Sequence, residues 1–135
     1  MFSHSCNLRV RYAETDQMGF VYYGAYAAYF EVARVEALRS LGITYKSMED
    51  SGILMPVLNF SIEYFKPGFY DDLITIKTTI AQLPGVKIRF DYQTFNAQME
   101  MLNQANTELA FISRDSMKPV RPPARLIESL KPHFT

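Results

Sequence analysis

Only one segment of this chain has the spacing of a long helix, and most of the chain beyond it alternates. Tyr26, Phe30, Ala33, Ala37 and Leu41 recur at the interval that lines one helix face, which predicts a helix over 24–41 stopped by Gly42. Alanines at 25, 27, 28, 33 and 37 keep this helix slim, so it is expected to lie closely against a sheet. Glu31/Arg34 and Glu36/Arg39 place opposite charges at i,i+3, and each is expected to pair for ~0.2–0.5 kcal/mol.

The other elements are strand-like. Cys6, Leu8, Val10 and Tyr12 alternate with polar residues ahead of the helix. After it, Leu58, Phe60, Ile62 and Tyr64 alternate, then Ile74, Ile76, Thr78 and Ile80, then Val86, Ile88, Phe90 and Tyr92. Pro67-Gly68 breaks the first of these runs, and Leu83-Pro84-Gly85 reads as a hairpin turn before the last. A final strand is expected over 106–113, while 97–103 follows neither period. Short helical turns are expected over 44–51 and 124–130, and the proline-rich 118–123 is unsuited to a central strand. The order is strand, long helix, four strands, an α+β arrangement in which an antiparallel sheet curls around the helix. One helix covers only part of one sheet face, so a homo-oligomer is expected to cover the rest.

The chain has 135 residues, read as one domain over 1–135. Fourteen basic residues balance fourteen acidic ones, and no basic stripe interleaves with aromatics, so no nucleic-acid partner is expected. No apolar run approaches the roughly 18 residues of a spanning helix, and the first residues lack a signal-peptide pattern. Neither membrane insertion nor secretion is therefore expected. The single cysteine, Cys6, reads as a small core residue and fits a reducing cytoplasm. No His/Cys/Asp/Glu grouping has zinc-site spacing, so no metal is expected.

The segment from Arg11 to Tyr26 carries the chemistry. Asp16 stands on a polar loop about eight residues ahead of the helix, too far to act as its N-cap. Loop carboxylates ordinarily face water, but this one precedes a helix start, where unpaired N–H groups and the positive dipole end suit a polarised carbonyl. Gly19 lets the loop turn back through positive φ, and Gly24 lets a ligand approach the backbone. Tyr22, Tyr23 and Tyr26 crowd the same place, which suits an acyl or aryl pocket and equally suits core or interface aromatics.

The run Tyr12-Ala13-Glu14-Thr15-Asp16-Gln17-Met18-Gly19-Phe20-Val21-Tyr22-Tyr23, followed by Tyr26, Phe30-Glu31, Ala33-Arg34 and Glu36, resembles the signature of hotdog-fold acyl-CoA thioesterases. The nearest group is the 4-hydroxybenzoyl-CoA thioesterase-like family, including short-chain acyl-CoA thioesterases of the Tol-Pal operon. The later run from Tyr64 to Leu73 resembles that family's second strand and the turn after it. The resemblance implies a curved sheet wrapped on the long helix, dimers or dimers of dimers, and an active site at the dimer interface. It implies hydrolysis of acyl- or aroyl-CoA thioesters without a cofactor, coenzyme A being part of the substrate. Asp16 corresponds to the family's catalytic aspartate, as nucleophile or as general base for water. The amide at Tyr23 would polarise the thioester carbonyl, and Gly19, Val21, Tyr22, Gly24 and Tyr26 would border the substrate. Many members carry His where this chain has Tyr23 and Asn where it has Ala25, so no imidazole is available at position 23.

Lys66, Arg89, Lys118 and Arg121 are the cations considered for coenzyme A phosphates; Lys66, Arg89 and Arg121 are taken as substrate-binding. Glu63 is a rival carboxylate but falls on the polar side of its strand, where a solvated role is expected. His4 and His133 lie near the termini and are expected at the surface or disordered. Two other readings stay open: a thioesterase acting on acyl carrier protein, and an acyl-CoA binder without turnover.

Overall fold

The computed structural model describes residues 1–134. Five long strands form one antiparallel sheet in the order β1 (Phe2–Arg9), β4 (Leu73–Ile80), β5 (Lys87–Phe95), β6 (Met101–Ala110), β3 (Val57–Tyr64). Helix α1 (Tyr23–Ser40) lies across the inner face. A small ribbon of β2 (Ile53–Leu54) and β7 (Ile112–Ser113), with helices α2 (Tyr45–Asp50) and α3 (Ala124–Leu130), completes the chain.

Alternation sets which side chains reach the helix. Ile74, Ile76, Thr78 and Ile80 on β4, and Ile88, Phe90, Tyr92 and Thr94 on β5, are all buried. Tyr26, Tyr29, Phe30, Ala33, Ala37 and Leu38 of α1 meet them. The Phe30 ring stacks on Tyr92 with centroids 4.5 Å apart, and burying such a ring stabilises by about 1.5–3 kcal/mol. Of the helix alanines only Ala33 and Ala37 are buried; Ala27 and Ala28 face outward.

Several sequence expectations need correcting. The helix starts one residue earlier than expected, at Tyr23. The first strand starts earlier and ends at Arg9, and Tyr12 sits exposed in a 3-10 turn (Tyr12–Glu14) because the chain leaves the sheet after Val10. Glu36–Arg39 pairs at 3.3 Å, but Glu31–Arg34 does not form. Arg34 is buried instead, donating through Nε to the Tyr45 hydroxyl at 2.8 Å and through a terminal nitrogen to the Tyr92 hydroxyl at 3.2 Å. A three-residue spacing puts two residues near one another without saying whether that flank faces the sheet.

The last long strand begins at Met101 rather than 106, and residues 112–113 belong to the separate ribbon. Its start escapes a two-residue period because Leu102 and Asn103 are both buried. The segment after β3 folds over that side of the sheet, with the amides of Phe65 and Lys66 donating to the Leu102 carbonyl at 2.8 and 3.0 Å. His4 is an ordered β1 residue opposite Thr78, and His133 stands edge-on to Phe2 with centroids 5.1 Å apart.

Candidate active site

The Asp16 loop is built largely by Asp16 itself. Its backbone N–H donates to the Phe20 carbonyl at 2.8 Å, and its carbonyl accepts from Gly19 at 3.0 Å. Its carboxylate Oδ1 accepts from the Met18 and Phe20 amides at 2.9 and 3.1 Å. Such side-chain-to-backbone bonds are how an aspartate closes a local turn. Gly19 sits at φ +81°, the conformation for which a residue without Cβ was expected. Oδ2 accepts no hydrogen bond from the described residues, so one oxygen holds the loop and the other is free.

Glu14 ties this loop to the helix. Its carboxylate accepts from the Arg11 backbone N–H at 2.8 Å and from the Arg11 guanidinium at 3.0 and 2.7 Å. The buried Tyr29 of α1 donates to the same carboxylate at 2.8 Å. The Glu14 carbonyl accepts from the Tyr22 amide at 2.8 Å, just before the helix begins. Burial works to raise the Glu14 carboxyl, but the Arg11 and Tyr29 bonds outweigh it and hold it below its ordinary range. Burial first, then the bond to Glu14, pushes the Tyr29 phenol well up, so Tyr29 stays a donor.

At the start of α1 the Ala25 amide turns back to the Tyr22 carbonyl at 2.9 Å. Among the described residues no acceptor stands at the amides of Tyr23 and Gly24, and no side chain caps this end. These are the free donors at the positive end of an 18-residue helix. At Gly24 a Cβ would come within 2.6 Å of the Tyr22 ring, so glycine lets that ring lie over the helix mouth.

Asp16 and this helix start share a cleft of about 340 Å³, with Tyr26, Tyr64, Lys66 and Gly68 among its walls. Val21, buried, also lines it, held by its amide to the Gly68 carbonyl at 2.8 Å. Lys66 pairs with Glu100 at the rim, and that bond is the main reason the Glu100 carboxyl lies below its usual range. Gly19 turns the loop on the opposite side, and Tyr22 packs on Tyr23 with centroids 4.7 Å apart.

The fold brings together Asp16, Val21, Tyr23, Tyr26 and Lys66, with Tyr22 and Gly24 adjoining at the helix mouth. It does not bring Arg89 or Arg121 into this cleft. Arg89 pairs with Asp91 at 3.0 Å on the outer sheet face, and Arg121 lies beside the 84–86 turn and α3. Glu63 is exposed on that same outer face. Sequence reasoning missed Tyr29 and Asn103. Tyr29 follows Glu14 by 15 residues, and Asn103 reaches the region only through strand pairing. Among the described residues no group of three or more His, Cys, Asp or Glu side chains is placed to hold a metal ion.

Known proteins share this fold. The family model described as the thioesterase superfamily matches residues 18–102. The chain belongs to that superfamily. It is 32% identical over 114 residues to the acyl-CoA thioesterase YbgC of Haemophilus influenzae, covering 84% of this chain and 83% of that protein. It is 30% identical over 124 residues to the acyl-CoA thioester hydrolase YbgC of Escherichia coli O157:H7, covering 92% of each. Among solved structures, the DHNA-CoA thioesterase of Staphylococcus aureus superposes with a TM-score of 0.86 at 35% identity, covering 99% of this chain and 85% of that one. The sheet wrapped on α1 is the hotdog fold, and the chain is a thioesterase. The family match begins two residues beyond Asp16 and so does not reach that carboxylate.

Proposed function

We propose that this thioesterase hydrolyses acyl- or aroyl-CoA thioesters at the cleft between Asp16 and the start of α1. The observation that carries this reading is the division of labour within one carboxylate: Oδ1 is held by two loop amides, Oδ2 is unengaged, and Asp16 lines one cleft with Tyr23 at the uncapped helix start. The thioester carbonyl oxygen would lie against the Tyr23 and Gly24 amides, which stabilise the charge that develops on it. Oδ2 then attacks the carbonyl carbon, or takes a proton from a water that attacks it. In either route the C–S bond breaks and the coenzyme A thiolate leaves and is protonated; in the first, water then opens the acyl–Asp16 anhydride, restoring the carboxylate, and in both the free acid is released. The Tyr23 side chain has no part beyond walling the cleft. No cofactor enters, and coenzyme A belongs to the substrate.

Lys66 is the cation best placed for a coenzyme A phosphate, exchanging its bond to Glu100 for phosphate oxygens. Arg89 and Arg121 would reach one only from another subunit. That second subunit belongs to the proposal. The outer edge of β3 is unpaired within the chain, and Val57, Leu58, Phe60 and Tyr64 on it are exposed. Two such edges joined antiparallel would extend the sheet across a homodimer and set a partner's surface beside the cleft. No described helix is long and apolar enough to cross a membrane. The free thiol of Cys6, half-buried and raised by burial and by Glu36, fits the reducing cytoplasm as the site of action.

The test is release of free thiol from a panel of acyl- and aroyl-CoAs by wild type and Asp16→Asn. Asparagine keeps an Oδ1 acceptor for the Met18 and Phe20 amides, so the loop survives while the charge goes. Hydrolysis at the wild-type rate by the variant would refute the assignment of Asp16. A single turnover in ¹⁸O-water tests the covalent route: label incorporated into Asp16 means an anhydride intermediate opened at the Asp16 carbon, whereas label confined to the released acid means that water attacked the acyl carbon.

A further inference from the structure

The cation of the cleft is already engaged. Among the described residues that line the cleft, Lys66 alone carries positive charge. It pairs with Glu100, 34 positions further along the chain. Asp16 is the other charged group on those walls. One ammonium therefore serves two carboxylates before any ligand arrives, and a ligand bearing phosphates must enter against that balance.

Glu100 is held in place by the turn between β5 and β6. The Asn96 side-chain oxygen accepts from the amides of Gln98 and Glu100 at 3.0 and 2.9 Å, and the Asn96 amide donates to the Glu100 carbonyl at 3.1 Å. Met99 takes φ +61°, the left-handed conformation that turns the chain into β6. On this frame the Asn96 side-chain NH2 donates to Glu100 Oε1 at 3.0 Å, which leaves Oε2 to Lys66. Lys66 is fixed from the other side, its amide donating to the Leu102 carbonyl at 3.0 Å. An exposed ion pair ordinarily contributes little, because ordering two long side chains costs entropy. Here Asn96 has already ordered the carboxylate, and β6 has already placed the backbone of the lysine. The Lys66 bond first, then the Asn96 bond, holds the Glu100 carboxyl below its usual range, so it is charged at neutral pH.

A phosphate that reaches Lys66 must displace Glu100 or share the lysine with it, and in both cases the carboxylate repels it. We propose that Glu100 is an internal competitor for the phosphates of coenzyme A: it holds Lys66 before substrate arrives, weakens capture of the coenzyme A moiety, and reclaims the lysine as the product leaves. This rests on the thioesterase reading and on Lys66 as the phosphate contact, and goes beyond them to how tightly the cleft holds coenzyme A. Coenzyme A keeps its phosphates after the acyl group has gone, so added phosphate affinity benefits substrate and product alike. Such uniform binding lowers KM without raising kcat. A cleft with this competitor has a higher KM and releases its product sooner.

The test compares wild type, Glu100→Gln, Lys66→Ala and the double variant. Each is titrated calorimetrically with free coenzyme A and assayed on two thioesters of one acyl group, with coenzyme A and with pantetheine, which has the same arm and no phosphate. Glutamine keeps an acceptor for Asn96 and Lys66 and removes the charge. Glu100→Gln is expected to lower Kd for coenzyme A and KM for its thioester by about three-fold, within what one exposed charge pair can impose. KM for the pantetheine thioester is expected to stay within about 1.5-fold, since a screened charge at the rim has little hold on an uncharged arm. With Lys66→Ala already in place, Glu100→Gln is expected to change Kd for coenzyme A by less than about 1.5-fold, because the effects of groups in contact do not add. A pair that merely ties the turn to the rim would shift both thioesters alike and lower the melting temperature, and that result overturns the inference. An unchanged or raised Kd for coenzyme A in Glu100→Gln overturns it, as does an effect that persists in full without Lys66. Each of these leaves the thioesterase reading in place. Absence of hydrolysis by wild type overturns that reading, while the Kd comparison still decides whether Glu100 opposes the ligand.

Discussion

The two edge strands of the sheet have the same length and opposite character. β1 and β3 each span eight residues. On β1 the side chains alternate between the core and water, with Phe2 buried and Ser3, Ser5 and Asn7 exposed. α1 packs against that strand, and His133 closes over Phe2. On β3 every residue but Ile62 is exposed, although Val57, Leu58, Phe60 and Tyr64 are large and apolar. Both are edge strands, but the large apolar side chains of β1 are covered by its own chain and those of β3 are not. The cleft sits at the unfinished edge, where β3 runs on through Tyr64 into Phe65 and Lys66. The candidate cleft therefore lies at the edge whose large apolar side chains its own chain leaves exposed.

The largest expected effect breaks the chemistry and spares both edges. Asp16→Asn should lower kcat by about 10²–10⁴, the range for removing a positioned acid–base group, with the melting temperature unchanged. Next comes the contrast itself. Leu58→Lys on β3 should shift sedimentation toward monomer and lower activity at least about 10-fold, since like charges facing one another across an interface cost several kcal/mol. Ser5→Lys on β1 should change neither. Wild-type protein sedimenting as a monomer at micromolar concentration would remove the distinction between the edges.

A smaller loss is expected from loosening the link between Asp16 and the helix mouth. Glu14→Ala should lower kcat about 10-fold through misplacement of the reacting groups, with partial recovery in Glu14→Gln, which keeps an acceptor for Tyr29. The same residue carries a pH signature. Its folded pKa lies below the ordinary 4.5, so its stabilisation is complete above that value and is lost as pH falls through the folded value. The stability gap between wild type and Glu14→Gln should therefore narrow in urea titrations as the buffer is taken below about pH 4. Smallest is Lys66→Ala, expected to raise KM for CoA thioesters about three-fold and kcat little, as befits one solvent-screened charge. If Arg89→Ala has the larger effect on KM, the phosphate lies across a subunit boundary.

The amphipathic patterns were legible because they are local. Helix 24–41 was placed to within a residue of its start, and the strands around 58–64, 74–80 and 86–92 follow from a period of two. The Asp16 loop was legible for the same reason: its bonds run among residues 16–20, and Gly19 declares the turn. Where a reading failed, a distant partner was responsible. Arg34 abandons Glu31 for Tyr92, which lies 58 positions away. Leu102 and Asn103 are both covered because the chain after β3 folds across them. Arg89 looked suited to phosphate, and the strand's register put it on the outer face beside Asp91.

By itself the sequence determined the number and kind of the main elements and the self-contained turn that presents Asp16, since each depends on contacts only a few residues apart. Tertiary structure alone decided that Asp16 shares a cleft with an uncapped helix end, that Glu14 joins loop to helix through Tyr29, and that Asn103 lies buried without a partner. Those juxtapositions come from how strands far apart in the chain align and how one helix settles on them, and no periodicity along the chain encodes a distance across the sheet.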